Sequence, residues 1–98
     1  MHSFSDRFIR NQEVVCRKID RELIIVPIRN NVGDLNSLYT LNSVGSALWD
    51  FMAEGHTVPE MVQRICDEFE VSTAQAQGDI EVFLDSLLEE KLVLSLAH

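Results

Sequence analysis

Positive charge is scarce in this chain. Eight Lys and Arg residues stand against 16 Asp and Glu over 98 residues, a net charge of −8. Nucleic acids are gripped largely by neutralising their phosphates, so this balance argues against a nucleic-acid partner. The few cations are also unevenly spread. Arg7, Arg10, Arg17, Lys18, Arg21 and Arg29 precede the midpoint, and only Arg64 and Lys91 follow it. A basic-leaning sheet and an acidic helical part are expected, an asymmetry suited to orienting a charged protein partner. Long apolar runs are missing too. The longest, residues 23–26, is far too short to cross a bilayer. The N-terminus has no basic and apolar signal segment, so no membrane partner is expected. Cysteine is limited to Cys16 and Cys66. Cys66 falls on the apolar face of a predicted helix, which favours a reduced, buried thiol over a disulfide and a cytoplasmic location.

The groups that catalysis needs are equally sparse. The three histidines, His2, His56 and His98, lie at the two ends and in one turn. Without a Cys-x-x-Cys or His-x-x-x-His pair, no zinc site is expected. No glycine-rich phosphate loop occurs. The acidic pairs Asp67-Glu68 and Glu89-Glu90 fall on helix exteriors and read as solvated charge. Cys66 near Arg64 suggests an activated thiolate only until its core-facing position is considered, which makes it inert. Nothing meets the geometric requirements of an active site, so a binding module without a cofactor is expected rather than an enzyme.

What is present is a small folded domain. Hydrophobic residues make up 46% of the chain and charged residues 24%, too apolar for a disordered chain. Residues 1–98 form one domain, with 1–11 a flexible arm that Phe4, Phe8 and Ile9 tie to the core or to another subunit. Residues 13–19 and 22–28 are short and rich in β-branched side chains, and predict a hairpin turning at Asp20–Arg21. Pro27 belongs at a strand end or facing away from its neighbour. Asn30, Asn31, Gly33 and Asp34 make a dense turn signal. Residues 35–41 predict a third strand, with Tyr39 and Leu41 on one face and Leu38 and Thr40 on the other. The strand meets a helix at Leu41 without a loop, and Asn42 or Ser43 supplies the N-cap.

Three helices follow. The first spans about 43–53, with Val44, Ala47, Leu48 and Phe51 as its core stripe and Gly45, Trp49 and Met52 beside it. Gly55 ends it. Thr57-Val-Pro-Glu60 is a capping box opening the second helix, whose inward residues are Met61, Val62, Ile65, Cys66 and Phe69. Ser72-Thr-Ala-Gln75 is another box, opening a third helix that runs to about Lys91. On a wheel of ~100° per residue, Ala76, Ile80, Phe83, Leu84, Leu87 and Leu88 fill a band roughly 140° wide. One helix packing on a core needs only ~100°. The excess places Phe83 and Leu87 at the rim of a groove, or beneath the arm or tail. Gly78 costs this helix about 1 kcal/mol relative to Ala and reads as a tolerated defect. Residues 92–96 form a last strand or an extended tail.

Strand–strand–strand–helix–helix–helix, with the junction Leu41-Asn42-x-x-Gly45-x-x-x-Trp49, resembles the PqqD family. So do Thr57-Val-Pro-Glu60, Asp79-Ile80-x-x-Phe83-Leu84-x-x-Leu87 and Lys91-Leu92-Val93, a likeness over roughly residues 13–95. The resemblance implies an α+β, winged helix-turn-helix-like fold with a three-stranded antiparallel sheet followed by three helices. It also implies a non-catalytic peptide chaperone that binds the leader of a ribosomal precursor peptide and presents it to a modifying enzyme, often a radical SAM protein. In the family's founding member the product is pyrroloquinoline quinone. There the leader resembles an extra strand on the third strand, lying against the third helix. Carried onto this chain, the peptide-binding residues are Asn36, Ser37, Leu38, Tyr39, Thr40 and Leu41 with Asp79, Val82, Phe83 and Ser86. The chain departs from members dedicated to the quinone: residues 30–34 replace a Pro-Glu-Gly-like turn, and Trp49-Asp50-Phe51-Met52 replaces a Leu-Cys-Asp-Gly-like segment.

Two other readings share the composition. A winged-helix DNA-binding regulator uses the same helical core, but residues 72–90 carry no basic side chain. A structural module dimerising through Phe4 and Phe8 is the third, so a homodimer stays among the expected partners.

Overall fold

The computed structural model describes residues 6–29, 32–33 and 38–96. Strand β2 (Val14–Ile19) and strand β3 (Glu22–Arg29) form the expected hairpin, in register from Val14 opposite Pro27 to Ile19 opposite Glu22. Asp20 makes the turn with φ +56°, a left-handed conformation that Asp tolerates better than most residues. The other side of β3 pairs with the short β4 (Val32–Gly33) and with β5 (Tyr39–Leu41), where Leu23 faces Leu41 and Ile25 faces Tyr39. Strand β3 is therefore central, and β2 and β5 are edges. Alternation sends Leu23, Ile25 and Leu41 into the core and leaves Val15, Ile19 and Thr40 exposed. The third strand is shorter than expected: Leu38 precedes it as non-strand chain, and residues 34–37 lie outside the described part.

Helix α1 (Ser43–Phe51) starts directly after this strand. Asn42 caps it, its side-chain oxygen accepting the Gly45 N–H at 2.9 Å. The buried face is Gly45, Ser46, Leu48 and Trp49, continued by Met52. The stripe expected through Val44, Ala47 and Phe51 is off by a partial turn; those three are only half-buried. Both sheets press on the Trp49 side, and it takes the core position. Trp49 is 1% exposed, hydrogen-bonded to the Cys16 thiol and covered by the Arg10 guanidinium 5.8 Å from its ring centre. Asp50 ties the same corner together, accepting from Lys18 at 2.8 Å and lying 3.8 Å from Arg10.

The expected flexible arm is, over Arg7–Arg10, strand β1. It lies between β6 (His56–Thr57) and β7 (Val93–Leu96) in a second antiparallel sheet. Phe8 is fully buried, and the Asn11 N–H donates to the Leu92 carbonyl at 2.8 Å. Four residues carry little periodicity, and their partners lie far along the chain, so no local signal marks this strand. Phe4, also placed in the arm, is outside the described residues.

Helix α2 (Val58–Glu68) begins with the expected capping box. Thr57 accepts from the Glu60 N–H at 3.3 Å, and Glu60 accepts from the Thr57 N–H at 3.0 Å. Helix α3 (Thr73–Glu89) has half of its box. Ser72 caps Gln75, but the Gln75 amide turns forward to Asp79 instead of back. Lys91, at φ +61°, ends that helix and turns the chain into β7. The core gathers Leu23, Ile25, Trp49, Met61, Ile65, Ile80 and Leu84 from sheet and helices. Leu87 is fully buried within it, not at a rim.

Candidate functional site

Strand β5 pairs with β3 on one side and with no strand on the other among the described residues. An edge strand offers unpaired N–H and C=O groups to any extended chain that approaches, and this one carries neither Lys nor Pro to discourage pairing. Beside it, between β5, the start of α1 and the face of α3, runs a groove of about 410 Å³. Two other hollows exist, about 260 Å³ around Cys66 and Gln77 and about 440 Å³ beside His56 and Arg64. Volume does not separate the three. The β5 groove is lined by all three residues of its edge strand, whereas the hollow beside His56 touches one residue of the two-residue edge strand β6 and the third hollow touches no strand.

The floor is apolar. Leu41, Leu48, Ile65 and Ile80 supply its base, and Phe83 lies half-buried along it. Gly45 lets these elements close up. A Cβ there would come within 3.1 Å of the Leu41 Cβ and 3.3 Å of the Phe83 ring, so any side chain would push the ring into the groove or the strand outward. The polar lining is Thr40, Asn42, Asp79 and Ser86. Tyr39 and Ser86 share a side-chain hydrogen bond that joins β5 to α3. Desolvation raises the Tyr39 hydroxyl above the ordinary phenol range, and the Glu90 and Glu89 carboxylates push it further; the Ser86 bond acts against them. The phenol is therefore neutral and can donate or accept a hydrogen bond at neutral pH.

Six of the residues expected at a peptide site, Tyr39, Thr40, Leu41, Asp79, Phe83 and Ser86, line this one groove. Leu38 is exposed at its approach. Val82 does not belong to it: the side chain is 67% exposed and absent from the lining, because one step along α3 from Phe83 turns it by ~100°. Asn36 and Ser37 lie outside the described residues. Sequence reasoning missed Asn42, Val44, Ile65 and Val71. Asn42 was visible as a cap; Ile65 and Val71 reach the groove only through the packing of α2 on α3, which leaves no local mark. Among the described residues no three of His, Cys, Asp and Glu converge as metal ligands would. No helix among them is long and apolar enough to cross a membrane.

In the solved structure of TbiB1 in complex with the TbiA(beta) leader peptide, the TbiB1-like fold superposes with a TM-score of 0.74 at 27% identity, covering 92% of this chain and 99% of that one. A lasso peptide synthetase B1 complexed with its leader peptide is similar in fold, with a TM-score of 0.71 at 22% identity over 89% of this chain and 96% of that one. Among curated proteins no sequence matches. The family model for coenzyme PQQ synthesis protein D matches residues 22–93, from the central strand to the start of the last. The chain belongs to the PqqD family.

Proposed function

We propose that this protein is a leader-peptide recognition element, a non-catalytic chaperone that binds the leader of a ribosomally made precursor and presents it to a modifying enzyme. One observation carries the reading: the unpaired β5 edge opens onto an apolar groove walled by α3. Strand addition takes affinity from main-chain hydrogen bonds and selectivity from side-chain pockets, and both parts stand side by side here. Each added backbone bond contributes about 0.5–1.5 kcal/mol net, so a short segment on β5 gains binding energy largely independent of its sequence. The groove then selects which side chains follow. Membership of the PqqD family and the leader-bound state of the two similar structures support the same role. A radical SAM enzyme is the partner the family implies; a lasso peptide synthetase component is the second candidate, supported by one of the similar structures.

The test is an NMR titration with synthetic leaders taken from short reading frames beside the gene. Amide shifts should concentrate in residues 38–45 and 79–90. Shifts confined to other surfaces, or no binding by any leader, would overturn the reading. Pull-down of each neighbouring modifying enzyme, with and without the leader, separates the two enzyme classes. A DNA-binding role is not favoured, since α3 exposes Asp79, Asp85 and Glu89 and contains no Lys or Arg.

A further inference from the structure

Strand addition by itself leaves the register of the bound segment open. Main-chain hydrogen bonds to β5 are the same in every register, and because side chains alternate, a slip of two residues keeps the same set facing the groove. With only three residues in β5, few contacts exist to correct such a slip. One feature of the groove wall does distinguish registers. Asp79 is the only charged residue in the lining, and the rest is apolar or neutral. Its carboxylate accepts the neutral Gln75 side-chain amide at 3.0 and 2.9 Å and has no ion-pair partner among the described residues. An ionised carboxylate has more acceptor positions than one amide fills, so capacity remains for a donor on the occupant.

The packing fixes where Asp79 stands relative to the strand. The Tyr39–Ser86 bond sets Tyr39 beside Ser86, while Leu41 and Phe83 both lie against Gly45. Strand β5 and helix α3 therefore run in opposite directions along the groove. Asp79, one turn before Phe83, lies beyond Leu41 at the Asn42 end. At ~1.5 Å of rise per residue, Asp79 and Phe83 are about 6 Å apart along the helix. Alternate residues of an extended chain are about 6.6 Å apart. Consecutive groove-facing side chains of an added strand therefore fall one on Phe83 and one on Asp79.

We propose that Asp79 sets the register of the bound leader by pairing with a Lys or Arg two positions from an apolar residue that covers Phe83. The inference rests on the strand-addition reading above and specifies both its substrate class and the residue that selects it. In other registers an apolar side chain would desolvate an uncompensated carboxylate, and an acidic one would meet like charge. Glu89 and Glu90 act on Tyr39 at the opposite end, but neither lines the groove.

Panning a random peptide display library against the intact protein, with NMR of the selected peptides bound to it, tests this. The selected sequences should share a Lys or Arg two positions from an apolar residue. Intermolecular NOEs should place the apolar residue on Phe83 and the cation beside Asp79. Asp79→Asn should weaken these peptides about threefold at low salt, the scale of one exposed ion pair, and the loss should fade in about 0.5 M salt. Asp79→Lys should weaken them about tenfold, as attraction is replaced by repulsion, and exchanging the peptide's cation for Glu should recover most of that loss. Glu89→Gln removes a charge outside the lining and should leave the register unchanged and the affinity nearly so. Equal weakening by Glu89→Gln and Asp79→Asn would reduce the effect to net charge and overturn the inference. So would selected peptides that bind at β5 and α3 with no fixed cationic position, a result that leaves the peptide-binding reading standing. A library yielding no binder would count against the peptide-binding reading itself and remove the inference with it.

Discussion

Val82 and Phe83 are neighbours in sequence and differ completely in situation. Phe83 lies against Gly45 and floors the groove, whereas Val82 is exposed on the far side of the same helical turn. Phe83→Ala should therefore cost about 1–2 kcal/mol of stability, the scale of a half-buried aromatic, and weaken leader binding in the same titration. Val82→Ala should change neither; a loss of binding there would mean that the peptide crosses α3 elsewhere. Gly78 illustrates the opposite case from Gly45. A Cβ added at Gly78 meets nothing within 4 Å, so Gly78→Ala should gain the helix propensity that glycine forfeits. The expected gain is about 0.5–1 kcal/mol, read as a higher midpoint in thermal unfolding. The sequence already marked Gly78 as a tolerated defect. The sequence pattern sets Gly45 beside Trp49 on α1, but the neighbours that require a glycine at 45 are Leu41, on the preceding strand, and Phe83, on a different helix.

The capping box at the start of α2 was legible because its two halves are local, and it makes α2 the most clearly bounded helix. It also introduces a dependence on pH. The Glu60 carboxylate is held below the ordinary glutamate range, first by the Thr57 backbone N–H, then by His56 at 3.1 Å, with Arg7 adding to the effect. A lowered value in the folded state means that this contribution is fully present above the unfolded glutamate value and is lost as pH falls through the folded one. Acid unfolding followed by circular dichroism should therefore show a loss of stability below the usual glutamate range that Glu60→Gln flattens. Glutamine can still complete the box, so the variant folds. An unchanged acid profile would place the dependence on other carboxylates. Strand β5 behaves differently from α2. Its alternation was readable, but its unpaired edge follows from β3 having β2 as its other neighbour, a property of the sheet rather than of residues 39–41.

At the scale of the molecule two antiparallel sheets brace one helical core, and only one of them was foreseen. Strand β1 supplies the centre of the other sheet and buries Phe8 completely. Removing residues 1–11 should therefore act as a core mutation. Loss of a buried Phe alone costs about 3–5 kcal/mol, against a total of about 5–15 kcal/mol for a small domain. The truncated protein should lose its cooperative thermal transition. A truncated chain that melts as the full one does would return β1 to the status of an arm. The three helices, the β2–β3 hairpin, the caps at Asn42, Thr57 and Ser72 and the scarcity of positive charge were all determined by the sequence itself. Each depends on residues a few positions apart, or on composition alone. The second sheet, the rotation of α1 that buries Trp49, the exclusion of Val82 and the convergence of β5 with α3 on one groove were decided by tertiary structure. They arise where elements distant in the chain compete to cover the same apolar surface, and the closest packing determines which face of each is buried.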